Sequence, residues 1–216
     1  MVTADPALSP AIARRLIGVV PVNMQLDAPW PPIQAARESS RKAGRDDSPS
    51  LMFAWCAAQA MRKHPAFCSS IREDGKIAVP VDFNLGVAVA LSDGQQATAV
   101  IPGANLLDWR SFSTAYACAV ASARAGTTEP AAASLILTCL GATGIEIATP
   151  IVVPPAVGNL VIGRAHVRMI ASDGIVQPVE VVTMCLTFDH RVVNGAGAAG
   201  FLHDVKLGIA NFVLPA

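Results

Sequence analysis

Between Thr149 and Asp189 the chain offers little but β-forming sequence, in two long runs, "TPIVVPPAVGNLVIGRAHVRMI" and "GIVQPVEVVTMCLTFDH". Val, Ile and Thr branch at Cβ and suit a pleated strand. Strands of that length need partners on both sides and cover on at least one face. A sheet is therefore the organising element, and the rest of the chain must supply its other strands and its cover.

The remaining segments divide accordingly. Ser9 can cap a helix with Pro10 in its first turn, and Leu8, Ile12 and Leu16 fall on one stripe. "VVPVNMQLDAP" alternates like a strand, which Pro21 restricts to an edge or an entry position. "PPIQAARESSRKAG" predicts an exposed helix ending at Gly44, and "SPSLMFAWCAAQAMRKHP" a helix buried nearly all round, started by Ser48 and stopped before Pro65. "FCSSI", "KIAVP", "FNLGVAVAL" and "QATAVIP" are short strand signals, joined as hairpins through "EDGK" and "SDG". Phe112, Tyr116 and Val120 share a helix face before Gly126, "SLILTCLGATG" is a further strand, and the last helix runs from about Gly195 to Asn211. Helices mixed with hairpins and long strands, rather than regular βαβ units, predict an α/β fold of two layers, a mixed sheet with helices mainly on one side. No linker or repeat divides residues 1–216, so a single domain is expected.

Composition removes several function classes. Sixteen basic residues balance sixteen acidic ones, so nucleic acid and anionic membranes have no electrostatic footprint to meet. The N-terminus lacks a signal-peptide layout and no apolar run reaches about 18 residues, from which a cytoplasmic location is expected. Five scattered cysteines without a C-x-x-C pair predict neither a disulfide framework nor a zinc site, and the four histidines form no cluster, so no metal is expected.

In "LTFDHRVVNGAGAAGFL" His190 stands four residues before Asn194, where a Gly/Ala-rich helix begins. On spacing alone two readings stand: a packed histidine followed by an asparagine N-cap, or a general base. The wider stretch, "TFDHRVVNGAGAAGFL", resembles the D-H-R-x-x-D-G-A-x-x-A-x-F-L signature of the dihydrolipoamide acyltransferase catalytic domain, within the chloramphenicol acetyltransferase-like superfamily. "IARRL", the passage from "CAAQAMRKHP" to "VALSDG", "SFSTAYACAVASARAG" and "LILTCLGATGIEIATPIVVPPAVGNLVIG" follow in that family's order, the last resembling its T-I-S-N-L-G stretch and P-P-x-x-A-I-L turn.

The resemblance implies transfer of an acyl group between a dihydrolipoamide thioester and a pantetheine thiol, on coenzyme A or an acyl carrier protein, without a metal. His190 is then the base, and Thr138, at the place of the family serine, the hydroxyl that donates to the oxyanion. Cys139, next to it, alternates to the other face and is expected to pack. Asn194 stands where the family has an aspartate, and Ser9 where the acetyltransferase branch has that aspartate's arginine; exchanging both members of a buried ion pair is nearly neutral, whereas losing one costs about 3 to 5 kcal/mol. Arg191 is expected to orient the segment. "DGQQATAVI" departs from D-G-L-x-T-P-V-I near the family's substrate channel, which leaves specificity open. The resemblance also implies a homotrimer with sites shared between subunits, a lipoyl-bearing protein or domain as donor in trans, and a 2-oxoacid dehydrogenase component among the partners. As the chain stops at "ANFVLPA", a free trimer rather than a larger core is expected. The competing expectation is a structural core protein of a multienzyme complex with impaired catalysis.

Overall fold

The computed structural model describes residues 10–72, 74, 76–91, 95–127, 132–172 and 174–215; Ser9 lies outside them. The elements in chain order are α1 (Pro10–Leu16), β1 (Pro21–Pro29), α2 (Pro31–Lys42), α3 (Pro49–Met61), β2 (Ser70–Ile71), β3 (Ile77–Ala78), β4 (Leu85–Ala90), β5 (Gln96–Ile101), α4 (Trp109–Ala125), β6 (Leu135–Cys139), β7 (Gly158–Ser172), β8 (Ile175–Asp189) and α5 (Gly195–Ala210). Six strands form one mixed sheet in the order β1-β8-β7-β6-β4-β5, parallel between β4, β6 and β7 and antiparallel elsewhere. The expected two-layer α/β architecture is what the chain adopts.

Local chemistry accounts for the helix ends. Ser48 accepts from the Leu51 amide at 3.2 Å to start α3, Asp108 accepts from Ser111 at 2.8 Å to start α4, and Gly126 closes α4 at φ +69, where a side chain would be strained. Leu135, Leu137, Leu160, Ile162, Met184, Leu186 and Phe188 line one sheet face, buried in the same core as Met52, Met61, Phe112, Phe201 and Val205 of the helices. That alternation sends Thr138, Asn159, Cys185, Thr187 and Asn23 to the opposite face.

Three segments differ from the sequence reading. Phe67 and Cys68 of "FCSSI" belong to a short 3-10 helix, Pro65–Cys68, which leaves only Ser70 and Ile71 as strand, because Pro65 favours a turn and Phe67 is drawn into the core, 4.2 Å from the Phe201 ring. The run from Thr149 to Val157 is a loop: Pro150, Pro154 and Pro155 lack amide donors, and strand pairing begins only at Gly158. The exposed helix α2 buries Ile33, Ala36 and Ser40. β1 is an edge strand, as Pro21 requires, with a proline at each end.

β7 and β8 form a long hairpin whose register slips between Ile162 and Ala165. Gly163 makes the slip sterically feasible, since a Cβ there would overlap the Glu146 carbonyl oxygen at 1.8 Å. Arg164 donates its amide to Ile145 at 2.7 Å, and Leu140 donates to Ile162 at 2.8 Å, so the segment after β6 is laid against β7.

Candidate active site

His190 follows the last residue of β8. Its amide donates to the Val20 carbonyl at 2.8 Å, and its ring lies over Phe188 with centroids 5.9 Å apart and planes inclined by 30°. The imidazole is exposed, and among the described residues it makes no hydrogen bond. Both ring nitrogens are therefore free to exchange a proton with a substrate.

The backbone beneath this ring is clamped. Asp189 is fully buried, and its carboxylate accepts from Arg191 Nε at 3.0 Å, Arg191 Nη2 at 2.5 Å, the Arg191 amide at 3.1 Å and the Val20 amide at 3.4 Å. Burial alone would raise the Asp189 pKa, but the Arg191 guanidinium and the two backbone amides together outweigh it and hold the carboxyl below the usual range. The Asp189 carbonyl accepts from the amides of Val192 and Val193, and Asn194 Oδ1 accepts from Gly197 at 2.8 Å to cap α5. His190 is thus held on a turn with one end in the sheet and the other in a helix.

Thr138 is near the end of β6, partly buried on the sheet face away from the helices. Its Oγ1 donates to Asn159 Oδ1 at 3.2 Å, and Asn159 Nδ2 donates to the Ile151 carbonyl at 3.2 Å. Asn159 pairs in register with Thr187, and Thr187 with Asn23, whose Nδ2 donates to Thr187 Oγ1 at 3.0 Å. This polar row adjoins a cavity of about 430 Å³ whose walls include Leu16, Val19, Val22, Asn23, Ile151 and Thr187.

Within one chain the two residues are far apart. Thr138 pairs with Val161, which pairs with Cys185, five residues before His190 on β8. At about 3.3 Å per residue and about 4.8 Å per strand spacing, their backbones are about 19 Å apart. A single thioester carbonyl cannot meet a base and a hydroxyl separated by that distance.

Cys139 turns to the helix face, packed against the core. Burial pushes its thiol up to about 11, partly offset by a hydrogen bond with Ser50. His64, remote in sequence from His190, contacts Asp204 Oδ2 at 3.0 Å and packs edge-on to Phe201. Among the described residues no group of three or more His, Cys, Asp or Glu side chains could hold a metal, and no helix is long and apolar enough to cross a membrane.

Sequence reasoning singled out His190, Thr138 and Asn194 but missed Asn159 and Asp189. An asparagine within the β run "GNLVIG" was the visible signal for the first, since asparagine is depleted in strands. The second is visible in the sequence only as the aspartate that precedes His190, with no signal for its burial.

The fold is a two-layer α/β domain whose surface presents an exposed imidazole on the turn after β8 and a hydroxyl near the end of β6. The chain belongs to the family described as 2-oxoacid dehydrogenases acyltransferase (catalytic domain), whose profile matches residues 22–215. It is 31% identical over 152 residues, 69% of the chain and 38% of the relative, to the dihydrolipoyllysine-residue acetyltransferase component of the acetoin cleaving system of Bacillus subtilis. It is 32% identical over 160 residues, 71% of the chain and 35% of the relative, to a probable dihydrolipoyllysine-residue succinyltransferase component of the 2-oxoglutarate dehydrogenase complex of Schizosaccharomyces pombe. The chain thus spans little more than a third of the length of these relatives.

Among solved structures, the dihydrolipoamide acetyltransferase of Azotobacter vinelandii superposes with a TM-score of 0.81 at 25% identity, covering 93% of this chain and 85% of the other. That structure belongs to a study of the catalytic roles of a serine, a histidine and an asparagine, the first two 52 positions apart and the last two 4 apart. The cubic core of a pyruvate dehydrogenase multienzyme complex superposes with a TM-score of 0.80 at 25% identity, over the same 93% and 85%. A chloramphenicol acetyltransferase, with a TM-score of 0.64 at 17% identity over 88% of each chain, shares the fold.

Proposed function

We propose that this domain moves an acyl group between a dihydrolipoamide thioester and the thiol of a pantetheine arm, on coenzyme A or on an acyl carrier protein. A free thiol is only a few per cent ionised near neutral pH, so its attack needs a base. His190 takes the thiol proton as sulfur bonds to the carbonyl carbon. The carbonyl π electrons move onto oxygen, where the Thr138 hydroxyl donates to the oxyanion. When the tetrahedral centre collapses, the original C–S bond breaks and His190 returns the proton to the departing sulfur. Every proton and electron pair is accounted for without a further reagent.

The separation of Thr138 from His190 is the observation that carries the rest of the reading. A hydroxyl about 19 Å from the base can serve the same carbonyl only from a neighbouring subunit; together with the family resemblance, this supports a homotrimer with a site at each interface. The outer half of the β7–β8 hairpin offers a surface to be covered, with Val167, Met169, Ile175 and Val176 each at least 60% exposed. The separations of 52 and 4 positions named for the A. vinelandii enzyme are also those from Thr138 to His190 and from His190 to Asn194, which supports the assignment of all three. Asn194 serves by capping α5 and so setting the turn that presents the imidazole. A lipoyl-bearing domain brings the donor, and a 2-oxoacid dehydrogenase component loads it.

The test mixes two variants that should each lose most of their activity, Thr138→Val and His190→Ala, under conditions of subunit exchange. With equal amounts and random assembly, about a quarter of interfaces receive both intact residues, and activity returns to about a quarter of wild type. Confirmed mixed trimers without recovery would refute the shared site. Wild-type acyl transfer in His190→Ala would overturn His190 as the base, and coenzyme A binding without acyl transfer by the unaltered chain would favour a structural core protein instead.

A further inference from the structure

The Thr138 hydroxyl has one proton, and the resting structure commits it. Thr138 Oγ1 donates to Asn159 Oδ1, while Asn159 Nδ2 donates to Ile151, both at 3.2 Å. The second contact fixes the first. A backbone carbonyl can only accept, so Ile151 requires the amide nitrogen and leaves the amide oxygen facing Thr138. With only an acceptor on that side, the hydroxyl must be the donor. Asn159 is held in this orientation at the backbone as well, since it pairs with Ile136 on β6 and Thr187 on β8.

We propose that Asn159 is a brake on acyl transfer, a positioning residue that competes with the oxyanion for the single Thr138 proton. The inference rests on Thr138 being the oxyanion donor. As charge develops on the substrate oxygen, the hydroxyl must turn away from Asn159, which leaves two oxygens facing each other without a proton between them. A charged acceptor wins that competition, because charge-assisted hydrogen bonds are about twice as strong as neutral ones. The transition state nevertheless gains only the difference. A side chain with no acceptor would let it gain the whole.

The sign of this effect separates it from a structural role. Asn159→Leu removes the competing acceptor at similar size, and Asn159→Val does so with a residue suited to strands. With acetyl-coenzyme A and free dihydrolipoamide as probes, each should raise kcat about two- to tenfold with KM unchanged, the worth of one neutral hydrogen bond. Asn159→Asp holds the proton more tightly and adds a negative charge beside the developing one, so kcat should fall more than about tenfold. In a Thr138→Val background, Asn159→Val should change nothing, because no hydroxyl remains to release. Loss of kcat in both apolar variants, or a gain that persists without the hydroxyl, would overturn the brake. Wild-type kcat in Thr138→Val alone would instead overturn the donor assignment, a separate failure read from a separate variant.

Discussion

Arg191→Gln should destabilise the domain more than Asp189→Asn, although both cut the same ion pair. The asymmetry follows from exposure: the Asp189 side chain is 0% accessible and that of Arg191 is 41% accessible. In Asp189→Asn the guanidinium turns to water and loses charged hydrogen bonds worth about 2 kcal/mol. In Arg191→Gln the carboxylate stays sealed, with only the backbone amides of residues 20 and 191 as donors, and an uncompensated buried charge costs about 3 to 5 kcal/mol. At about 2 to 4 °C per kcal/mol for a chain of this size, the melting temperature should fall by about 4 to 8 °C in the first case and about 6 to 20 °C in the second. The double variant should recover part of the larger loss.

Acid gives an independent check on the same pair. The Asp189 pKa is depressed in the folded protein, so its stabilisation is complete above the ordinary carboxylate pKa of about 3.9 and is lost as pH falls through the lower folded value. Without Arg191, burial dominates and raises that pKa, so protonation relieves the strain and the gap to wild type narrows as the pH is lowered. Thermal melts followed by circular dichroism between pH 7 and about pH 2.5, at one protein concentration, measure both effects. Equal losses at pH 7, or a gap that widens in acid, would refute the reasoning.

Asn194→Ala removes the oxygen that caps α5 and should cost about 1 kcal/mol, or 2 to 4 °C, while Asn194→Ser keeps a capping oxygen and should melt within a degree or so of wild type. Cys139, its thiol pushed up to about 11, should resist iodoacetamide at pH 7.5 and react faster as the pH approaches that value, as followed by mass spectrometry. Cys139→Ala should retain acyl transfer.

Local signals carried most of the fold. The last helix was readable to within a residue, because Asn194, a helix-forming run and Asn211 mark it, and α3 was delimited by Ser48 and Pro65. The loop from 149 to 157 was misread because Val and Ile outvoted prolines whose missing donors prevent pairing. The resemblance around His190 and Thr138 named the site residues, but their separation was invisible in the sequence. It depends on register across β6, β7 and β8, where Thr138 meets Val161 and Val161 meets Cys185, each pairing more than twenty positions apart. The same holds for Asn159, whose polarity was legible while its partners were not, and for Asp189, whose depth follows from closure of the chain's first strand onto its last.

β1, with Pro21 and Pro29 at its two limits, also governs how the sheet meets a foreign chain. Neither proline has an amide to offer, so an intruding extended segment finds the ends of this margin without donors and cannot zip along its whole length. Crowded or newly made copies are thereby hindered from growing into fibrils through this border.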